Sequence, residues 1–189
     1  MPWIVYITGL PGSGKSARAR ALLKLLTARK IKASYLRLDE IRKEIVPEPE
    51  YTEEEREYVY AELCRRGLAL YRRGKNVVLD ATAYRKKWRN MAREQVKDFL
   101  EVYIKCDLET CVQRESGRKA GLVMAQIYNK ALERKKTGKD IPGLGEVVGI
   151  DVAYEENDKA ELVIDSSRIS VENAARQILE GMARRGWLG

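Results

Sequence analysis

The sequence predicts a three-layer α/β fold, in which helices cover both faces of a five-stranded parallel sheet. Strand-like apolar runs alternate with helical patterns along the 189 residues, as in chains built from repeated strand–helix units. The segment GLPGSGKS (9–16) also lies between a strand-like run and a helical pattern. Because no internal repeat or low-complexity stretch interrupts the alternation, we expect one domain over residues 1–189.

The candidate strands are short, mostly apolar runs bounded by polar or glycine-containing segments. They are residues 3–7, 33–38, 76–79, 99–105 and 161–165. Their apolar character is typical of parallel strands that are covered on both faces.

Capping residues and apolar spacing predict the helices. The first is expected from Ser16 to Lys30, where apolar residues recur at i, i+3, i+4 and i+7. Most basic residues on its other face, Arg18 among them, are expected in solvent. Thr52 and Glu55 fit a capping box, which predicts a long helix ending at Gly74.

Three further helices follow from the same signals. One is expected over roughly 85–97. Asp107 is a candidate N-cap for a short helix, and Ser170 is a candidate N-cap for the last helix, which should end near Gly186.

Residues 115–160 break the alternation, with six glycines, a proline and many charges. A stretch of this length is too long for a passive connection in a compact domain. We therefore interpret residues 115–160 as a lid that covers a substrate and contains a helix over 122–136. The alternative is a disordered surface insertion.

Composition restricts the class of protein. The net charge of +8, from 36 basic and 28 acidic residues, favours anionic partners, for which nucleotides suffice. No apolar run is long enough to span a membrane. Three cysteines without C-x-x-C spacing predict a reduced, cytoplasmic protein. Histidine-based catalysis is excluded because the chain has no histidine, and the high charged fraction indicates a thermophilic source.

The segment 9–16 matches the Walker A pattern of P-loop NTPases at every constrained position. Its glycines allow a tight turn that brings backbone N–H groups to phosphate oxygens, and the following helix adds its dipole. Lys15 is expected to contact the β- and γ-phosphates, and Ser16 to hold Mg²⁺. The predicted nucleotide-binding residues in this loop are Gly9, Gly12, Ser13, Gly14, Lys15 and Ser16. A glycine-rich turn that binds nothing is the alternative.

Two carboxylates follow predicted strands, at the sheet edge where such folds bind ligands. Asp39 is the candidate base that accepts the proton of an attacking hydroxyl, and Arg42 is placed one turn later to grip an anionic group. Asp80, after the third strand, is a candidate magnesium residue. Helix capping is the alternative role for both aspartates.

Basic residues near the lid are candidates for stabilising transferred charge. Arg114, Arg118 and Lys119 follow the fourth strand and are expected to contact the adenine or the γ-phosphate. Tyr84, Arg85 and Arg89 follow Asp80, and at least one of these arginines is expected to face the substrate. A solvated charge run is the alternative for each of Arg114, Arg118 and Lys119.

Several motifs resemble those of the adenylylsulfate kinase family, which phosphorylates the 3′-hydroxyl of adenosine 5′-phosphosulfate (APS). GLPGSGKS is similar to the family's GLSGSGKS, and LDEIR (38–42) to the end of its DGDNIR. The other matching segments are YTEEER (51–56), TAYR (82–85), the strand and helix of 99–114, YNKA (128–131) and GIDVAYE (149–155). The last is the most specific.

The resemblance implies a nucleoside-monophosphate-kinase-like fold that uses ATP and Mg²⁺. It places Arg56 at the substrate and Arg114 near the adenine. It also places Tyr84, Arg85 and the residues Gly149, Ile150 and Tyr154 on the substrate side. Related kinases are often dimers, so the resemblance leaves a homodimer open.

The chain departs from the family pattern at several positions. The first Asp of DGD is Arg37 here, the Asn after the D-R motif is Val59, and a longer stretch over 115–127 replaces R-D-P-K-G-L. LDATAYRKKWR (79–89) looks more like kinases of polynucleotide 5′-ends or of seryl-tRNA. The preferred prediction is an APS kinase with Asp39 and Lys15 as catalytic residues. The alternatives are an RNA-directed kinase and a nucleotide-dependent switch without kinase activity.

Overall fold

The computed structural model of this protein describes residues 1–117, 124–157 and 159–188. A five-stranded, fully parallel sheet forms its centre, with the strand order β2-β3-β1-β4-β5. The strands are Ile4–Thr8 (β1), Ala33–Arg37 (β2), Asn76–Asp80 (β3), Phe99–Lys105 (β4) and Leu162–Asp165 (β5). All five predicted strands are therefore confirmed, with ends that differ by at most one residue.

Helices connect the strands and cover both faces of the sheet. They are Lys15–Ala28 (α1), Leu38–Ile45 (α2), Glu53–Arg72 (α3), Lys86–Arg93 (α4), Leu108–Ser116 (α5), Ile127–Thr137 (α6) and Val171–Arg184 (α7). None of the helices in the described ranges is long and apolar enough to cross a membrane.

Alternation along β1 explains the three layers, because successive side chains of a strand point to opposite faces. Ile4 and Tyr6 pack in the core under α2, α3 and α4, whereas Val5 and Ile7 pack against α1 and α7. All four are buried. A smaller apolar cluster joins α5 and α6 with residues 144–150.

Side-chain caps begin three helices where the sequence predicts them. Thr52 accepts a hydrogen bond from the Glu55 amide at 3.2 Å, Asp107 from the Thr110 amide at 2.7 Å, and Ser170 from the Asn173 amide at 3.2 Å. These caps depend on residues three positions apart, so the local sequence suffices to predict them.

Several predicted boundaries need correction. The helix expected over 122–136 begins at Ile127, after Gln126 in a left-handed conformation, and its first predicted residues lie outside the described part. The helix expected over 85–97 ends at Arg93, because the chain turns there to place Val96 in the core before β4. Asp39 lies in the first turn of α2, not at an N-cap.

The strand order brings several carboxyl ends together. Asp80 at the end of β3 lies in register with Ile7 of β1 on one side and with Arg37 of β2 on the other. The chain leaves β1 for the glycine-rich loop at this edge. A ligand on that loop would therefore lie beside the ends of β2 and β3.

Candidate functional site

The glycine-rich loop between β1 and α1 forms one end of a cavity of about 500 Å³. Gly12 has a φ of +79°, and a Cβ there would lie 2.4 Å from the Cys111 carbonyl oxygen of α5. A side chain at this position would displace the loop. The lack of one lets the loop pack against α5 and leaves its other face to the cavity.

Lys15 and Ser16 begin α1 and both line the cavity. The Lys15 ammonium folds back over the loop and donates to the Leu10 carbonyl at 2.9 Å. Backbone N–H groups at the start of α1 lack helical acceptors, and the helix dipole favours negative charge there. This end of the cavity suits a phosphate chain.

The cavity brings together nine of the residues that the sequence predicts for the site. Those that line it are Gly12, Gly14, Lys15, Ser16, Asp39, Arg42, Arg56, Asp80 and Arg114. A single space therefore holds the phosphate loop together with two of the predicted carboxylates and three of the predicted guanidinium groups.

Asp80 is almost fully buried and is held by a neighbour that the sequence analysis missed. The Tyr35 hydroxyl donates to Asp80 Oδ2 at 2.6 Å, and Arg37 Nε lies 4.0 Å from the same oxygen. Burial and the charge of Asp80 raise the pKa of Tyr35, so the phenol stays a donor at neutral pH. The Ser16 hydroxyl and the Asp80 carboxylate supply the oxygen ligands that Mg²⁺ prefers, so these residues fit the ion.

Two buried arginines lie at the other end of the cavity. Arg42 forms an ion pair with Glu55. Arg56 donates to the Tyr51 carbonyl at 2.9 Å and to the Glu146 carbonyl at 2.6 Å. Because these contacts fix both guanidinium groups, they are preorganised to bind an anion.

Tyr51 lies between the two arginines, and the sequence analysis did not identify it as a site residue. The Arg42 guanidinium lies 4.8 Å from its ring centroid and that of Arg56 lies 5.7 Å away. Tyr51 has a φ of +59°, which costs energy for a residue with a side chain. Glu55 accepts from the Tyr51 amide at 2.8 Å and stabilises this conformation. The only sequence signal is an aromatic residue immediately before an N-cap.

The structure does not bring every predicted site residue to the cavity. Tyr84 is buried and packs edge-on against Trp88, with ring centroids 4.8 Å apart. Arg85 pairs with Glu53 at 2.8 Å on the surface. Arg89, expected as a possible substrate contact, is fully buried. None of these three residues lines the cavity.

The segment 149–154 packs beside the site, and the cavity lining within the described residues does not include it. Gly149 and Ile150 form a turn, in which the Ile150 amide donates to the Val147 carbonyl at 3.0 Å. The Tyr154 hydroxyl is hydrogen-bonded to Thr8 at 2.9 Å, and its ring stacks on Tyr103. Val147 and Val148, just before this turn, do line the cavity.

The remaining predicted residues fall into two groups. Gly9 and Ser13 lie in the loop but outside the cavity lining, and Ser13 is buried. Arg118 and Lys119 lie outside the residues that the structure describes. Arg20, Glu146 and Met124 line the cavity and were not predicted.

Comparisons with known proteins agree with this geometry. A sequence profile of the family described as adenylylsulphate kinase matches residues 1–165. A probable adenylyl-sulfate kinase of Archaeoglobus fulgidus is 32% identical over 171 residues, covering 89% of this chain and 98% of that protein. The cytidine diphosphoramidate kinase of Campylobacter jejuni is 29% identical over 183 residues, covering 96% and 97%.

A solved structure shares the fold. The APS kinase of Mycobacterium tuberculosis, in complex with AMPPNP and APS, superposes with a TM-score of 0.79 at 23% identity. The match covers 96% of this chain and 98% of that one. This likeness confirms the three-layer P-loop architecture that the sequence predicts.

Proposed function

This chain belongs to the adenylylsulphate kinase family, and we propose that it transfers the γ-phosphoryl group of ATP to the 3′-hydroxyl of APS. The observation that carries the proposal is the single cavity. It has a phosphate loop at one end, two fixed guanidinium groups at the other, and Asp39 lining the space as well. A donor and an anionic acceptor would therefore share one cavity.

The donor triphosphate would lie on the loop amides and the start of α1. Lys15 would supply positive charge to the β- and γ-phosphates. Ser16 and Asp80 would hold Mg²⁺, which neutralises charge on the transferred group when bound. Arg114 lines the same cavity, is hydrogen-bonded to the Ser166 carbonyl at 3.0 Å, and would contact the donor base.

The acceptor would lie against the opposite wall. Arg42 and Arg56 would bind its anionic group, and the Tyr51 ring, which contacts both guanidinium groups, would hold them in place. Asp39 would accept the proton of the attacking hydroxyl. The region 115–160, which contributes Met124, Ile127 and Leu144 to the lining, would cover both substrates.

A second acceptor deserves a direct comparison because of one relative. The Campylobacter jejuni kinase named for cytidine diphosphoramidate is about as similar to this chain as the adenylyl-sulfate kinases are. Its named substrate is also an anionic nucleotide, for which the two arginines are equally suitable. This chain also departs from the APS kinase motifs at Arg37 and Val59. These two departures are a further reason to test the second acceptor directly.

The test is a coupled assay of ADP release by the purified protein with ATP and Mg²⁺. We expect turnover with APS and formation of 3′-phosphoadenylyl sulfate. Parallel reactions contain cytidine diphosphoramidate, an RNA with a free 5′-hydroxyl, or seryl-tRNA. Turnover with one of these and none with APS would reject the proposed acceptor, and absence of turnover with all four would reject kinase activity.

Asp39→Asn tests the proposed base. We expect turnover to fall by about 100-fold to 10,000-fold, because the amide cannot accept the proton. Binding of AMPPNP, measured by calorimetry, should change little. Glu40→Gln is the matched control, since Glu40 is the next residue of α2 and points to solvent, where it pairs with Arg37. Equal turnover in both variants would remove Asp39 from the catalytic role.

A further inference from the structure

Arg18 is a buried cation in a position where the helical pattern predicts a solvated side chain. Only 3% of its surface is exposed. Its guanidinium donates four hydrogen bonds, all to main-chain carbonyls. Burial lowers the pKa of Arg18, and nearby Arg114 lowers it further. Burying a charged group is unfavourable unless hydrogen bonds compensate for the lost water, so the buried Arg18 guanidinium indicates a specific structural role.

The four carbonyls belong to two distant segments. Nη1 of Arg18 lies 3.4 Å from the oxygens of both Ser13 and Gly14, in the phosphate loop. Nη2 lies 3.3 Å from the Ser166 oxygen and 3.0 Å from the Ile169 oxygen, after β5. One side chain therefore fastens the phosphate loop to the loop that follows the last strand.

The loop sequence is adapted to this contact. A Cβ on Gly14 would lie 2.4 Å from Nη1 of Arg18, and Gly14 has a φ of +87°. Gly14 therefore allows the turn and also leaves room for the guanidinium. The Walker A pattern explains this glycine by backbone approach to phosphate, and the structure adds a second reason on the opposite side of the loop.

Fixing two carbonyls also fixes two N–H groups. In a trans peptide unit the C=O and the N–H point in opposite directions. The Ser13 carbonyl shares a peptide unit with the Gly14 amide, and the Gly14 carbonyl shares one with the Lys15 amide. The Gly14 carbonyl also accepts from the Arg18 backbone amide at 3.2 Å, in the first turn of α1, so the helix and the guanidinium hold it together. With both carbonyls directed at Arg18, both amides point away from the guanidinium, towards the cavity that Gly14 and Lys15 line.

We propose that Arg18 is a positioning residue for the donor phosphates, which it serves by aiming the Gly14 and Lys15 amides at them. The proposal rests on the proposed function only in so far as the loop binds a phosphate chain. Arg114 strengthens the arrangement, because its guanidinium donates to the carbonyl and the hydroxyl of Ser166 at 3.0 and 3.2 Å. Ser166 is thus the common anchor of α1 and α5.

The experiment measures binding of magnesium tripolyphosphate, a probe that reaches the phosphate loop without a base or an acceptor. Calorimetry compares the unmodified protein with Arg18→Met and Arg18→Lys. Lys24→Met, on the exposed side of α1, is the control. We expect affinity to fall about tenfold or more in Arg18→Met, since small errors in donor placement are costly, and to fall less in Arg18→Lys. The control should bind like the unmodified protein.

Steady-state kinetics separates positioning from general loosening. The KM for ATP should rise in Arg18→Met while the KM for the acceptor stays unchanged. A folded Arg18→Met protein with tripolyphosphate affinity within about twofold of the unmodified protein would overturn the proposal. If Arg18→Met does not fold, unchanged affinity in Arg18→Lys overturns it instead. If the unmodified protein itself binds neither AMPPNP nor tripolyphosphate, the donor site fails and with it the proposed function.

Discussion

Replacing Arg89 with methionine should destabilise the protein strongly, because Arg89 belongs to a fully buried ion pair. Arg89 and Glu101 both have 0% exposed side chains, and Arg89 Nε lies 3.1 Å from the Glu101 carboxylate. The guanidinium also donates to the Ala83 carbonyl at 2.6 Å and to the Glu155 carbonyl at 2.5 Å. Methionine fills most of the volume but removes all three interactions.

The size of the loss in stability depends on which contacts of Glu101 remain after Arg89 is replaced. Breaking a buried pair by removing one partner typically costs about 3 to 5 kcal/mol, because the other charge stays buried. Arg93 still contacts Glu101 at 2.9 Å, and Asn157 donates to it at 2.7 Å. We therefore expect the free energy of unfolding to fall by about 3 kcal/mol, the lower end of this range. The midpoint of thermal unfolding should fall by about 10 °C.

Urea unfolding followed by circular dichroism measures this loss. Arg65→Met is the control, because Arg65 is 68% exposed and pairs only locally with Glu62, so its removal should leave the free energy of unfolding nearly unchanged. A loss below about 1 kcal/mol in Arg89→Met, together with a changed KM for the acceptor, would refute the reasoning and return Arg89 to the substrate-facing role.

Three further predictions follow from buried hydroxyl and thiol groups. Tyr35→Phe should leave the fold intact and raise the Mg²⁺ concentration needed for AMPPNP binding about tenfold, because Asp80 loses its orienting donor; unchanged Mg²⁺ dependence in calorimetry would contradict this. Burial raises the pKa of Cys64 to about 11 and that of Cys111 to about 12, so a disulfide reagent at pH 8 should modify neither thiol until urea unfolds the chain. Rapid modification of the native protein would contradict the burial of these two thiols. Burial raises the pKa of Tyr154 to about 12 against about 10 in an unfolded chain, so its contribution to stability is complete below pH 10 and is lost as the pH rises towards 12. Urea titrations across this range should show a falling free energy of unfolding, and a smaller fall in Tyr154→Phe; equal slopes would exclude Tyr154 as a cause.

The local sequence was sufficient wherever an interaction spans a few residues. The phosphate loop, the five strands and the caps Thr52, Asp107 and Ser170 all depend on neighbours within one turn or on apolar alternation along one strand. The same holds for the placement of Asp39 and Asp80, since a strand end in a parallel sheet fixes which edge its last residues reach.

Charged residues whose partners lie far along the chain could not be assigned in this way. A helical pattern marks Arg18 as polar and hence solvated, but four carbonyls, two of them 148 and 151 residues away, make its burial favourable. Arg89 is likewise buried by Glu101 and Glu155, and Tyr51 acquires its place only between Arg42 and Arg56.

The sequence by itself determined the phosphate-binding loop, the parallel sheet and the family of this protein. These features depend on short-range geometry and apolar periodicity, which consecutive residues specify. Tertiary structure alone decided which of its many arginines line the cavity, which contacts the phosphate loop from behind and which lie in the core. The physical reason is that a guanidinium leaves water only where several acceptors converge on it, and convergence of distant segments exists only in the folded chain.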